Sequence, residues 1–293
     1  MDRSRIWIPA IAGLCGALVV ALRRKGKTRA PGHWLAILAH RGASARAPEN
    51  TLEAFRLAVE EGAGGLELDV HATRDGEIVV IHDASVDRTT DGSGAVAGMT
   101  LEELRRLDAG YRFSPDGGRT FPYRGRGTRI PTLAEVYAQF PDVRVNADIK
   151  ETRAGTEEVV LRVIRRAAAE VRTLVASNDH AVVRRFRRAS GGRIRTAASR
   201  REIAAFYLMS CSRLKALGRP AYDALQVPVE HKGIALVTPR FLGAAHSRDV
   251  RVDVWTINDA AEMRRLLDLG VDGVMTDRPG VLASLLEERG EGR

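Results

Sequence analysis

Residues 65–70 read Gly-Leu-Glu-Leu-Asp-Val. Leu66, Leu68 and Val70 alternate with Glu67 and Asp69, and the period of two sends the two sets to opposite faces of a strand. Residues 143–150 repeat the pattern: Asp148 and Lys150 share a face between Ala147 and Ile149. On both sides of these stretches, short apolar runs alternate with amphipathic ones. Strands are predicted at 35–39, 65–70, 78–82, 143–149, 173–176, 194–197, 224–227, 252–256 and 273–275. Helices are predicted at 51–61, 156–170, 180–189, 238–247 and 260–269. Such alternation predicts a parallel sheet with helices outside it, first as a TIM (β/α)8 barrel and second as a doubly wound sheet. In a barrel the leucines of 65–70 face the helices, so Glu67 and Asp69 face the interior.

Nine predicted strands exceed the eight places of a barrel by one. The turn through Asp75-Gly76 leaves no room for a helix between Val70 and Ile78. Residues 84–130 are rich in Gly, Asp, Thr and Arg and carry one short helix near 101–107, which predicts an insertion after the third strand. Residues 202–220 are apolar with interleaved Arg213, Lys215 and Arg219. They suit either a barrel helix or a segment touching lipid.

A chain of 293 residues with 44% hydrophobic and 28% charged side chains has enough apolar material for a real core. Aromatic residues make up only 5%, which argues against stacking platforms for single-stranded nucleic acid. The formal charge of +9 is concentrated at 23–29 and 184–201, without any helix-turn-helix, zinc or RNA-binding signature. Cys15 and Cys211 are the only cysteines, so neither a disulfide framework nor a Cys-based zinc site is implied.

Residues 6–22 carry no charge and run directly into Arg23-Arg24-Lys25. Three readings compete: a membrane anchor, a cleaved secretory signal or a buried helix. A spanning helix needs roughly 17–25 apolar residues, and a cleaved signal normally ends in small residues instead. The expectation is an N-terminal transmembrane anchor with a basic linker over 1–33, followed by the barrel domain over 34–293. Basic residues dominate the C-terminal flank, which predicts a cytoplasmic position for the domain.

Functional groups of an α/β barrel gather at the C-terminal ends of its strands. His40-Arg41 ends the first predicted strand and His82-Asp83 the third. Glu67, Asp69 and Asp148 supply three oxygen donors suited to one hard divalent cation, Mg²⁺ or Ca²⁺, since unpaired interior carboxylates are very costly. A buried salt-bridge network with Arg41 and Lys150 is the alternative. Two histidines offer a proton donor and an acceptor, and the two cations suit phosphate oxygens; together these describe phosphodiester chemistry.

Several motifs in one order carry a family resemblance: His40-Arg41-Gly42, Pro48-Glu49-Asn50-Thr51, Glu67-Leu68-Asp69-Val70, His82-Asp83, Asn146 to Lys150, Trp255-Thr256-Ile257-Asn258 and Gly273 to Pro279. Over about 36–285 the chain resembles the glycerophosphodiester phosphodiesterases. The resemblance implies a TIM barrel with a small insertion, and His40 and His82 as the acid/base pair. Arg41 would contact the phosphate, Glu67, Asp69 and Asp148 would bind the metal, and Glu49, Lys150 and Trp255 would line the substrate site. Many members have Glu where this chain has Asp148. In the family mechanism a neighbouring glycerol hydroxyl attacks phosphorus while one histidine removes its proton and the other protonates the departing alcohol.

The motifs Arg129 to Leu133, Asn146 to Lys150 and Asp268 to Pro279 look closer to a membrane-anchored lysophospholipase D branch, and the anchor and the apolar segment 202–220 point the same way. The expected substrates are therefore glycerophosphodiesters or lysophospholipids, and the expected partner is a membrane rather than nucleic acid. An inactive lipid-binding module is disfavoured because both histidines and all three acids are present. A related phosphatidylinositol or sphingomyelin phosphodiesterase is disfavoured by the insertion and the Trp255 to Asn258 motif.

Overall fold

The computed structural model describes residues 36–212 and 220–290. The predicted membrane anchor and linker at 1–33 lie outside the described residues, as does the 213–219 part of the apolar segment. Among the described residues no helix is long and apolar enough to cross a membrane.

In chain order the elements are β1 (Ala36–His40), α1 (Leu52–Glu60), β2 (Gly65–Ala72), β3 (Ile78–Val80), a 3₁₀ turn (Val96–Gly98), α2 (Leu101–Arg105), α3 (Leu133–Gln139) and β4 (Arg144–Ile149). Then follow α4 (Thr156–Arg166), β5 (Thr173–Ala176), α5 (His180–Ser190), β6 (Arg195–Thr196), α6 (Arg200–Cys211) and β7 (Ala224–Val227). The last are β8 (Glu230–His231), β9 (Ile234–Ala235), α7 (Pro239–His246), β10 (Arg251–Val254), α8 (Ala260–Leu269), β11 (Gly273–Thr276) and α9 (Pro279–Glu288).

Eight of the strands are parallel neighbours in the order β6-β5-β4-β2-β1-β11-β10-β7. The two ends meet at a parallel bridge between Ala197 and Ala224, where the Ala198 amide donates to the Ala224 carbonyl at 2.8 Å. This is the expected (β/α)8 barrel. The surplus strand is β3, which runs antiparallel to β2 with Val80 opposite Val70. The insertion therefore sits between the second and third barrel strands, after a hairpin, and not after a third parallel strand. The short Asp75-Gly76 turn enforces this, because a parallel crossover needs a dozen or more residues. Helix α3 completes the interrupted crossover.

Leu66, Leu68 and Val70 are buried under the helices with Phe55, Val160, Ile164 and Phe186, so Glu67 and Asp69 do face the interior. The insertion has a small core of its own, formed by Val79, Ile81, Val86, Val96, Leu104, Ala109 and Ile130. Near its N-terminal end the barrel interior is partly ionic. Asp253, 1% exposed, pairs with Arg251 at 2.7 Å and crosses Gly273, where any Cβ would overlap the Asp253 carboxylate.

Helix boundaries follow local chemistry. Thr51, Thr132, Asp179, Ser199 and Asp259 cap α1, α3, α5, α6 and α8, each accepting from a backbone N–H of the first turn. Helix α6 packs Phe206 edge-on against Phe241 of α7, the arrangement of a barrel helix.

Candidate active site

The parallel register aligns the interior carboxylates. His40 is level with Glu67 across β1 and β2, and Asp69 is level with Asp148 across β2 and β4. Ligand atoms of Glu67, Asp69 and Asp148 all lie within 4.8 Å of one another.

Lys150 bridges two of the three, with Nζ 3.0 Å from Asp69 and 2.6 Å from Asp148. Arg41 Nε lies 3.3 Å from Asp69, and Asn50 donates its amide to the same carboxylate at 2.9 Å. Burial opposes the charge of Asp69, but Lys150, Arg41 and Asn50 hold its carboxyl below the ordinary range. Glu67 is treated differently. It is 6% exposed and receives the Arg41 backbone N–H at 3.2 Å, and burial and then the charges of Asp69 and Asp148 push its carboxyl well up. Burial also raises Asp148, whose Oδ1 is buried without a partner.

Both expected readings of the cluster are therefore present in part. Two cations neutralise Asp69 and Asp148, yet three interior carboxylates still outnumber them. The surplus negative charge and the orphaned Asp148 oxygen fit one divalent cation held by Glu67, Asp69 and Asp148. Asn50 is not the cap of α1; Thr51 is. Asn50 adopts a positive φ of 58° and spends its side chain on Asp69 instead.

The two histidines flank this cluster in matching ways. His40 Nδ1 lies 2.7 Å from Asp277, which also accepts from Ser44 at 2.8 Å and Asn258 at 2.6 Å. His82 Nδ1 lies 2.6 Å from Asp83, which also accepts from Arg88 Nε at 2.6 Å. A carboxylate acceptor makes each Nδ1 a donor and leaves Nε2 for proton transfer. Burial works against the charge of Asp277, but bonds from His40, Asn258 and Ser44 bring its carboxyl down to about 2. The Arg88 bond is the largest influence on Asp83; burial opposes it, and with the further bond from His82 the carboxyl comes down to about 2.

His82 reaches the site through the hairpin. Because β3 returns antiparallel, the Ile81 amide donates to the Asp69 carbonyl at 2.9 Å, which sets His82 beside the acids. His71 supports it by meeting the His82 carbonyl at 3.1 Å. Glu49 accepts from Arg41 at 2.9 Å and from Arg88 at 2.7 and 2.8 Å. Trp255 stands at the end of β10, 40% exposed at the rim.

The structure thus brings His40, Arg41, Glu49, Glu67, Asp69, His82, Asp148 and Lys150 into one connected site with Trp255 at its edge. Asp277, Asp83 and Arg88 join this site although the sequence alone assigns them no role there. Asp277 follows the last barrel strand, so the rule that selected His40 also selects it. Arg88 has no comparable signal, since it lies in the aperiodic insertion.

The model of the glycerophosphoryl diester phosphodiesterase family matches residues 40–281. The chain is 36% identical over 261 residues to a glycerophosphodiester phosphodiesterase of Caldanaerobacter subterraneus, covering 87% of this chain and 98% of that protein. It is 33% identical to a probable glycerophosphodiester phosphodiesterase 2 of Mycobacterium tuberculosis, over 87% of this chain and 91% of the other. Among solved structures, the glycerophosphoryl diester phosphodiesterase domain of an uncharacterized Mycobacterium tuberculosis protein superposes with a TM-score of 0.74 at 25% identity, covering 87% and 99% of the two chains. A phosphodiesterase of Oleispira antarctica, solved with its product sn-glycerol-3-phosphate, gives 0.67 at 25% identity over 87% and 97%.

Proposed function

The chain belongs to the glycerophosphoryl diester phosphodiesterase family, and on that premise we propose that it is a divalent-cation-dependent phosphoric diester hydrolase. Its substrates are glycerophosphodiesters, cleaved to an alcohol and glycerol 3-phosphate. Lysophospholipids are the second class, giving lysophosphatidic acid. The observation that carries this reading is the pair of carboxylate-bound histidines on either side of three clustered interior acids.

Glu67, Asp69 and Asp148 would hold the cation, which supplies charge neutralisation at a phosphate oxygen. Arg41 and Lys150 add positive charge beside it. Nη1 and Nε of Arg41 face Glu49 and Asp69, so Nη2 is the guanidinium nitrogen that these carboxylates leave for a phosphate oxygen. One histidine accepts through Nε2 the proton of the attacking glycerol hydroxyl. The other gives a proton through Nε2 to the departing alcohol oxygen, which leaves a cyclic phosphodiester on the glycerol. The two histidines then exchange roles: one takes a proton from the water that attacks phosphorus, and the other protonates the glycerol oxygen as the ring P–O bond breaks, giving glycerol 3-phosphate or lysophosphatidic acid. Asp277 and Asp83 stabilise each imidazolium as it forms and hold each ring in one tautomer.

Trp255 is a half-exposed aromatic at the rim, suited to the glycerol or acyl portion of a substrate. With the uncharged run at 6–22 it supports the lysophospholipid reading and a membrane anchor, and the basic residues at 23–29 support a cytoplasmic domain.

Purified protein assayed with glycerophosphocholine and with lysophosphatidylcholine, each with Mg²⁺, Ca²⁺ or EDTA, tests both levels. Choline release that EDTA abolishes and His40→Ala removes supports the hydrolase. Unchanged release by His40→Ala overturns it. Activity on the soluble diester alone removes the lysophospholipase D reading.

A further inference from the structure

Arg88 lies outside every motif that places residues in the site. A closed turn fixes its backbone: the Thr90 amide and hydroxyl both donate to the Val86 carbonyl, at 3.1 and 2.9 Å, and both residues are fully buried. From this turn the guanidinium makes four hydrogen bonds to two carboxylates. Nε and Nη2 donate to Asp83 at 2.6 and 3.3 Å, and Nη1 and Nη2 donate to Glu49 at 2.7 and 2.8 Å. Each carboxylate also holds a second group, on an oxygen that Arg88 Nη2 shares: His82 Nδ1 on Asp83 Oδ1 and Arg41 Nη1 on Glu49 Oε1.

We propose that Arg88 is a positioning residue of the insertion that fixes the acid/base His82 and the phosphate-binding Arg41 relative to each other, through Asp83 and Glu49. The proposal rests on the hydrolase reading above. Stability alone is a poor reason for this arrangement. The Arg88 side chain is 47% exposed, and ion pairs at such exposure contribute about 0–1 kcal/mol. Geometry is the better reason. Without Arg88, the Asp83 and Glu49 carboxylates would face each other with no cation between them, free to draw His82 and Arg41 out of register. A planar fork can bridge two carboxylates at once, which a lysine ammonium does poorly.

The test is choline release from glycerophosphocholine by Arg88→Ala, Arg88→Lys and a control, Arg105→Ala, which loses only the exposed pair with Glu135. Arg88→Ala should lower kcat by about 10- to 100-fold, with a smaller change in KM and a melting temperature like that of the control. Added guanidinium ion should restore part of this kcat, and Arg88→Lys should recover little. Glu49→Gln combined with Arg88→Ala should lose less than the product of the single losses. Wild-type kcat in Arg88→Ala, full recovery in Arg88→Lys, or multiplicative losses would each overturn the proposal. If Arg88→Ala does not fold, a folded Arg88→Lys decides: lowered kcat supports the proposal and wild-type kcat overturns it. Failure of the unmodified protein to release choline overturns the hydrolase reading itself, whereas an active parent with an equally active Arg88→Ala overturns this inference alone.

Discussion

His40 and Asp277 are 237 residues apart in sequence, yet their side chains meet at 2.7 Å. They follow paired positions of the first and last barrel strands, where Ala39 is level with Thr276. The carboxylate accepts the Nδ1 proton and so selects the tautomer whose Nε2 can exchange a proton with substrate. Asp277→Asn keeps the shape and removes the charge. It should lower kcat by about 100-fold or more with KM little changed. Steady-state choline release checks this, and a variant with the parent's kcat would show that His40 needs no such partner.

The same carboxylate makes stability depend on pH. Its folded value is held down to about 2 from the ordinary 3.8. A carboxyl lowered on folding stabilises the protein above its unfolded value, and that contribution fades as pH falls from about 4 to about 2. The shift corresponds to about 2 kcal/mol, nearer about 1 kcal/mol after solvent screening of a partly exposed group. Asp277→Asn should therefore melt below the parent near neutral pH, and the gap should close near pH 2. Calorimetric melting across that range measures it; a gap that widens in acid would contradict the assignment.

Asn50 supports the carboxylate cluster through Asp69. Its side chain grips Asp69 twice, donating to the carboxylate at 2.9 Å and accepting the backbone amide at 3.3 Å. Asn50→Gly tolerates the positive φ of 58° while removing both bonds. Divalent cation affinity, measured by titration calorimetry, should fall about 10- to 100-fold. Unchanged affinity would show that Asp69 needs no such support.

Gly42 carries the loop that presents His40 and Arg41. It has a φ of 87°, and a Cβ there would stand 2.7 Å from the Ala54 backbone and side chain of α1. Helix backbone cannot yield, so Gly42→Ala should cost about 3 kcal/mol and lower activity with it. Gly76→Ala is the control: its φ is 85° but nothing lies within 4 Å, so only about 1 kcal/mol of backbone strain is expected. Equal melting temperatures for the two variants would remove the steric argument.

Much of the site is legible in the sequence because alternation and strand ends are local signals. Leu66 to Val70 fixes which way Glu67 and Asp69 point, and the polar residues after β1 and β4 follow from the same rule. The rest depends on partners that are distant in sequence. Ile78 to Val80 has the composition of a barrel strand, and only the short turn before it reveals the reversed direction. Asn50 and Thr51 are both good caps, and the choice between them is made by Asp69, nineteen residues away. Arg88 acquires its role only when the insertion folds back over Glu49. The exposed hairpin of β8 and β9 has too little apolar pattern to announce itself.

The pairing of β1 with β11 has a consequence for synthesis. Synthesis supplies every residue of the carboxylate cluster, Lys150 and the His82 hairpin once β4 is out, but His40 stays without Asp277 until the last strand is made. The proposed acid/base pair thus lacks one partner carboxylate until β11 has joined β1. A nascent or C-terminally truncated chain would carry most of the candidate site's groups without the carboxylate that holds His40, so turnover is expected only from a chain that includes Asp277.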